Sequence, residues 1–241
     1  MPGTLNRRKA LVTGGTRGIG LEIANQLFAL GAQVTVVGRS HTAPQNAGEK
    51  FKYIPCDLGK RADVNSLSNE ISRDKFDILI NNAGINKIAP IADIAPEDFE
   101  QILQVNLNAP FRLIQAVIPH MVGQGWGRII NIASIFSVVS KAQRASYSAS
   151  KFGIVGLTAA VAAEVAPRGV LVNCVSPGFI DTELTQRVLG VDGMEQISRT
   201  IPAGRLGNID EIAQFVCWLA SPSNTYISGQ NLCIDGGFTR V

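Results

Sequence analysis

The sequence predicts a single α/β domain built on a doubly wound, seven-stranded parallel sheet with helices on both faces. Three observations predict it. Short apolar, β-rich runs alternate with longer helical patterns from one end to the other, the signature of strands joined by crossover helices. The first of these runs leads into a glycine-rich turn that opens a helix. No linker, repeat or low-complexity tract divides the 241 residues, a length that one α/β domain reaches, so residues 1–241 read as one unit.

In chain order, strands are expected at Ala10-Leu11-Val12, Gln33 to Val37, Phe51 to Pro55, Asp77 to Ile80, Arg128 to Ile132, Leu171 to Val175 and Leu232 to Ile234. Helices are expected near residues 18–30, 62–73, 96–121, 147–166 and 209–220. Ala95-Pro96-Glu97-Asp98 carries a start signal, with proline at the first helical position. The connection from Gly38 to Lys50 holds Pro44 and Gly48 and leaves little room for a full crossover helix, so a short or irregular segment is expected there.

Composition narrows the function classes. Hydrophobic residues at 46% and charged residues at 17% exclude a disordered chain and suit a large buried sheet. A formal net charge of +3 gives no electrostatic reason to expect nucleic acid or an anionic membrane as a partner. Cys56, Cys174, Cys217 and Cys233 are scattered through apolar runs, and the histidines are His41 and His120, so no metal site is expected and the thiols read as free and buried. With no run of about 18 apolar residues and no apolar N-terminal stretch, a cytoplasmic protein is expected.

The turn Thr13-Gly14-Gly15-Thr16-Arg17-Gly18-Ile19-Gly20 follows the first strand, and Leu21 to Leu27 continue as a helix. Glycine lets the backbone approach a pyrophosphate closely, and the helix then aims free N–H groups and its positive dipole end at the anion. The alternative is a tight turn with no ligand. At the end of the second strand Val36-Val37-Gly38-Arg39 offers no carboxylate for a ribose 2′-hydroxyl; Arg39 stands there instead, and Arg17 lies in the turn. Two guanidinium groups suit a 2′-phosphate, so NADP(H) is expected in preference to NAD(H), unless both arginines are simply solvated.

Tyr147-Ser148-Ala149-Ser150-Lys151 opens an alanine-rich helix, and the spacing of four puts phenol and ammonium on one face. A cation beside a tyrosine favours the phenolate and brings its pKa toward the working range. Ser134 lies at the carboxyl end of the strand from Arg128, the edge where open α/β sheets bind ligands. Asn106, within the long third helix, is either a satisfied core amide or the anchor of a water.

Taken in order, Thr13-Gly14-x-x-x-Gly18-x-Gly20, Asp57, Asn81-Asn82-Ala83-Gly84, Asn106, Ser134, Tyr147-x-x-x-Lys151 and Pro177-Gly178 resemble the short-chain dehydrogenase/reductase family along essentially the whole chain. The resemblance implies a Rossmann-type fold and a catalytic set of Asn106, Ser134, Tyr147 and Lys151. Tyr147 would be general acid in reduction and base in oxidation, Ser134 would orient the carbonyl, Lys151 would bind the nicotinamide ribose and lower the tyrosine pKa, and Asn106 would hold a relay water. It also implies cofactor contacts from Gly14, Thr16, Arg17, Gly18, Ile19, Gly20, Arg39, Asp57, Leu58, Asn82, Ala83, Gly84, Tyr147, Lys151, Pro177, Gly178, Ile180 and Thr182, and a homotetramer.

Within that family the chain is similar to 3-oxoacyl-acyl-carrier-protein reductases in Pro177 to Thr182 and Gly204-Arg205-Leu206-Gly207, which implies a 3-oxoacyl thioester as substrate. Arg128 and Arg168 stand where those enzymes dock the acidic carrier. A segment of about residues 181–205 is expected to form a lid, and its contacts with Ile135, Phe136 and the stretch near Gln143 and Arg144 to set specificity. The rivals are a sugar, polyol or other ketone reductase on the same fold and a non-catalytic dinucleotide sensor.

Overall fold

The computed structural model describes residues 4–42 and 50–241. The expected irregular connection around Pro44 and Gly48 therefore lies largely outside the described residues. The strands are β1 (Lys9–Thr13), β2 (Gln33–Gly38), β3 (Lys52–Pro55), β4 (Ile78–Asn81), β5 (Gly127–Ile132), β6 (Val170–Pro177) and β7 (Asn231–Ile234). The helices among the described residues are α1 (Gly18–Ala29), α2 (Arg61–Asp74), α3 (Pro96–Leu103), α4 (Ala109–Gln124), α5 (Ala145–Val165), α6 (Glu183–Ser198) and α7 (Ile209–Leu219). One parallel sheet runs β3-β2-β1-β4-β5-β6-β7, with its order reversing between β1 and β4. All seven expected strands are present, each within a few residues of its expected bounds.

Alternation along the strands builds two cores. Val12, Val34, Val36, Ile78, Ile80 and Ile130 point to the face covered by α1 and α7, while Leu11, Val37, Leu79 and Ile129 point to the face covered by α2 and α4. Because every strand is parallel, the loops after β1, β4, β5 and β6 share one edge of the sheet, and the residues that start the strands share the other.

The expected helix 96–121 is not continuous. Between α3 and α4 lies a π-helical segment, Gln104–Asn108, centred on Asn106. Pro110 explains the break: it has no N–H to give to the carbonyl of Asn106, its partner one turn earlier. Helix α5, with the short turn Ala166–Arg168 that follows, is apolar enough over 24 residues to cross a membrane by composition, with mean hydropathy 1.4. Its packing along β6 and the π segment makes it an internal helix of the domain.

Candidate active site

The glycine turn is shaped from both sides. Gly14 and Gly18 hold left-handed φ of 63° and 54°, where a side chain is strained. A Cβ on Gly20 would lie 2.4 Å from both Asn82 Nδ2 and the Gly14 carbonyl oxygen, so glycine there lets α1 close onto the turn. At Gly18 a Cβ would meet no protein atom within 4 Å, leaving open space over the turn. Helix α1 starts with no side-chain cap and no acid in its first turn. Its free N–H groups thus face that space with no internal anion to satisfy them, which fits a pyrophosphate. Thr13 Oγ1 accepts from the N–H groups of Asn82 (3.0 Å) and Ala83 (3.1 Å), and Asn82 Nδ2 donates to the carbonyls of Thr13 and Gly14. These bonds tie the ends of β1 and β4 together under the turn.

On one side the turn is flanked by the ends of β2 and β3. A Cβ on Gly38 would lie 2.9 Å from Thr16 Cγ2, so the turn touches the end of β2. Arg17 and Arg39 are exposed, and neither side chain has a hydrogen-bond or ion-pair partner among the described residues. Past β3, Asp57 Oδ1 accepts from the Gly59 N–H at 3.0 Å, and the Leu58 carbonyl accepts from Gln104 Nε2. Past β6, Gly178 donates to the Ile234 carbonyl, Ile180 bridges to Gly207, and Thr182 Oγ1 accepts from the Thr185 N–H, so its hydroxyl starts α6. Helix α6 occupies the expected lid and is interrupted at Gly190, whose φ of 64° is non-helical.

Asn106, Ser134, Tyr147 and Lys151 converge at the same edge. Ser134 lies two residues past β5, caps a short 3₁₀ turn by accepting from the Phe136 N–H at 3.2 Å, and its hydroxyl is near enough to the Tyr147 hydroxyl to pull the phenol pKa down. Lys151 is 4% exposed, donates to the Ile132 carbonyl at 2.8 Å, and lies 5.5 Å from the centre of the Tyr147 ring. Burial without a carboxylate partner pushes its pKa down to about 8. Both Lys151 Nζ and Asn106 Oδ1 come to 3.5 Å from where a Cβ of Gly84 would stand. The Asn106 carboxamide clamps Ile85, accepting from its N–H and donating to its carbonyl, both at 2.9 Å, and donates its other hydrogen to Ser150 Oγ.

Two electrostatic details differ from the sequence expectation. Burial raises the Tyr147 pKa; the Ser134 hydroxyl and the Arg144 charge oppose that rise, and Lys151 is not among the groups that do. Lys151 instead turns toward the sheet, onto the Ile132 carbonyl. Both amide hydrogens of Asn106 are engaged by protein, so its carboxamide has no hydrogen left for the expected relay water. Ser150 and Pro110 escaped sequence reasoning; Pro110, four positions after Asn106, carried the signal.

The carrier-docking expectation for Arg128 fails on burial. Arg128 is 4% exposed, and its guanidinium donates to the carbonyls of Gly127, Gly169 and Asn224 and lies 4.6 Å from the centre of the Trp126 ring. Arg168 is exposed, but both arginines lie just before or at the starts of β6 and β5, the edge opposite Ser134 and Tyr147.

Comparison with known proteins follows this geometry. A family model described as Enoyl-(Acyl carrier protein) reductase matches residues 14–239. The 3-oxoacyl-(acyl-carrier-protein) reductase FabG of Rickettsia bellii is 39% identical over 98% of this chain and 99% of its own length. Nodulation protein G of a Rhizobium species is 38% identical over the same shares of the two chains. Among solved structures, a gluconate 5-dehydrogenase from Burkholderia cenocepacia in complex with NADP and tartrate superposes with a TM-score of 0.90 at 35% identity, covering 98% of this chain and 97% of that one.

Proposed function

We propose, for a chain that belongs to the short-chain dehydrogenase/reductase family and is thereby an NAD(P)-dependent oxidoreductase of CH–OH groups, that it interconverts a ketone and a secondary alcohol with NADP(H), using Tyr147 as the proton-transfer residue. The observation that carries this reading is the Tyr147 hydroxyl beside Ser134 at the carboxyl edge of the sheet, on the same edge as the open glycine turn.

When bound, the nicotinamide supplies or takes the hydride; everything else falls to the chain. Ser134 holds the substrate oxygen beside the phenol, and Tyr147 gives that oxygen its proton in reduction and takes it back in oxidation. Lys151, with its pKa brought to about 8, donates protons readily near neutrality and stands beside Gly84, where it would hold a ribose hydroxyl. Asn106 would hold the water that resupplies Lys151, the role the family resemblance implies. Arg17 and Arg39, free of protein partners among the described residues, support the choice of NADP(H) over NAD(H).

Two acceptor classes have support. The curated relative named as a 3-oxoacyl reductase supports a 3-oxoacyl thioester, without carrier docking through Arg128. The neighbour named as a gluconate dehydrogenase supports a polyhydroxy acid. Steady-state oxidation of NADPH and of NADH, with a short 3-oxoacyl thioester and with 5-oxogluconate as acceptors, tests the reading. Turnover with NADPH that Tyr147→Phe abolishes is expected. Turnover that survives Tyr147→Phe would remove the assigned role.

A further inference from the structure

Arg144 immediately precedes α5, three positions before Tyr147 and thus one turn from it along the helix. Its guanidinium lies 5.5 Å from the centre of the Phe136 ring, and Phe136 meets the Tyr147 ring edge-to-face at 6.3 Å. Cation, aromatic ring and phenol therefore form one cluster. Arg144 is half-buried, and its Nε is fully buried with no hydrogen-bond partner. Among the described residues no side chain or carbonyl accepts from its guanidinium, and no carboxylate pairs with it. Burial lowers its pKa, and the charge attraction that opposes this comes from Tyr147.

The backbone holds the side chain in this place. Gln143 sits in the left-handed region at φ 67°, uncommon for a residue with a side chain, so the chain turns sharply just before Arg144. The Arg144 carbonyl accepts from the Ser148 N–H at 2.8 Å, and Ser148 is itself bonded to Ser140 across the loop. An unpaired, partly desolvated cation is costly in a protein interior and calls for an anion. Its Nε is occluded, but the two terminal nitrogens are not among the buried atoms and donate to no acceptor among the described residues; their N–H groups form a fork that matches a carboxylate in two parallel bonds.

We propose that Arg144 is the anion-binding residue of the substrate pocket, so that the molecule whose carbonyl lies against Tyr147 and Ser134 also carries a carboxylate a few bonds away. This rests on Tyr147 being the proton-transfer residue. It names the substrate class: an oxo acid or hydroxy acid rather than a 3-oxoacyl thioester, which has no charge near its ketone. Phe136 would cover one side of the bound acid, and the lid helix would close over it.

The test pairs acids with their neutral forms. NADPH oxidation is measured with acetoacetate and its methyl ester, in wild type, Arg144→Ala and Arg144→Lys. The ratio of kcat/KM for acid over ester should fall about 10- to 100-fold in Arg144→Ala, mainly through KM, and be partly restored in Arg144→Lys, as befits a lost charged hydrogen bond of about 1.5–3 kcal/mol. A ratio unchanged within about threefold would overturn the proposal, because an arginine that only tunes Tyr147 slows both substrates alike. A second measurement needs no turnover: calorimetric titration of tartrate into the NADP⁺-loaded protein. Binding at least tenfold weaker in Arg144→Ala supports the assignment. Equal binding in the two proteins, or none in wild type, removes it. Loss of the Tyr147 role would show separately, as Tyr147→Phe still turning over the ester.

Discussion

The two edges of the sheet both carry charged side chains and pair them differently. At the edge where the strands begin, Asp77 and the Arg128 terminal nitrogens find acceptors or donors within the fold, although Arg128 Nε is buried without one. Asp77 receives Arg8, the Lys9 N–H and Gln124, with His120 at 3.5 Å, and Arg128 gives three hydrogen bonds to backbone carbonyls. At the edge where the strands end, the Arg17 and Arg39 side chains lack partners among the described residues, no nitrogen of the Arg144 guanidinium has an acceptor there, and Gly18 faces open space. The first edge is stabilised by its polar groups, whereas the second holds several of them in readiness for something outside the chain. Charge alone does not mark a site; charge left unsatisfied by the fold does.

The largest expected effect would break the carboxyl edge. Tyr147→Phe should lower turnover by about 100- to 10,000-fold while NADPH affinity, read by fluorescence titration, stays within about threefold. A smaller change would redirect it. Arg39→Asp should lower the NADPH-over-NADH ratio of kcat/KM by about 100-fold, through loss of a charge-assisted contact and repulsion of the 2′-phosphate; an unmoved ratio would make Arg39 an ordinary surface group.

At the opposite edge the effect should fall on stability. Arg128→Ala removes three hydrogen bonds to backbone carbonyls and the contact with the Trp126 ring, and should cost about 2–4 kcal/mol, lowering Tm by roughly 5–15 °C. The folded variant should turn over within about threefold of wild type. A catalytic defect with unchanged Tm would reverse the contrast between the edges.

The subtlest expectation concerns Lys151. Its pKa of about 8 in the fold lies below the ordinary 10.5, so between these values the unfolded chain binds the extra proton. Stability should therefore rise from pH 8 toward pH 10.5, by about 3 kcal/mol in full, and the whole desolvation cost should stand below pH 8. Lys151→Met should accordingly match or exceed wild-type stability at pH 7, with the gap moving in favour of wild type toward pH 10. Denaturant midpoints at the two pH values check this, and a constant gap would mean that the lysine is not desolvated.

Much of the molecule was legible in one dimension because its signals are local. Strand and helix follow from runs and periods, the glycine turn from residues 13–20, and the Tyr147–Lys151 pair from a spacing of four. The break in the helix at Gln104–Asn108 was legible in principle, since Pro110 withholds the N–H that Asn106 needs, yet the apolar periodicity carries across it unbroken. Nothing local separates Arg128 from Arg144. One becomes buried by three carbonyls from residues up to 96 positions away, and the other is left beside Phe136 without an acceptor.

The sequence by itself determined the α/β class, the one-domain organisation, the seven strands and the identity of the residues at the phosphate turn and around Tyr147. Only the tertiary structure decided where each cation would go: Lys151 went to the Ile132 carbonyl, Arg128 to the interior, and Arg144 to the face of the Phe136 ring. The physical reason is that burial and pairing are set by chain segments distant in sequence. A residue's type states what it can do, and the neighbours that the fold brings to it settle whether that capacity is used up or kept free.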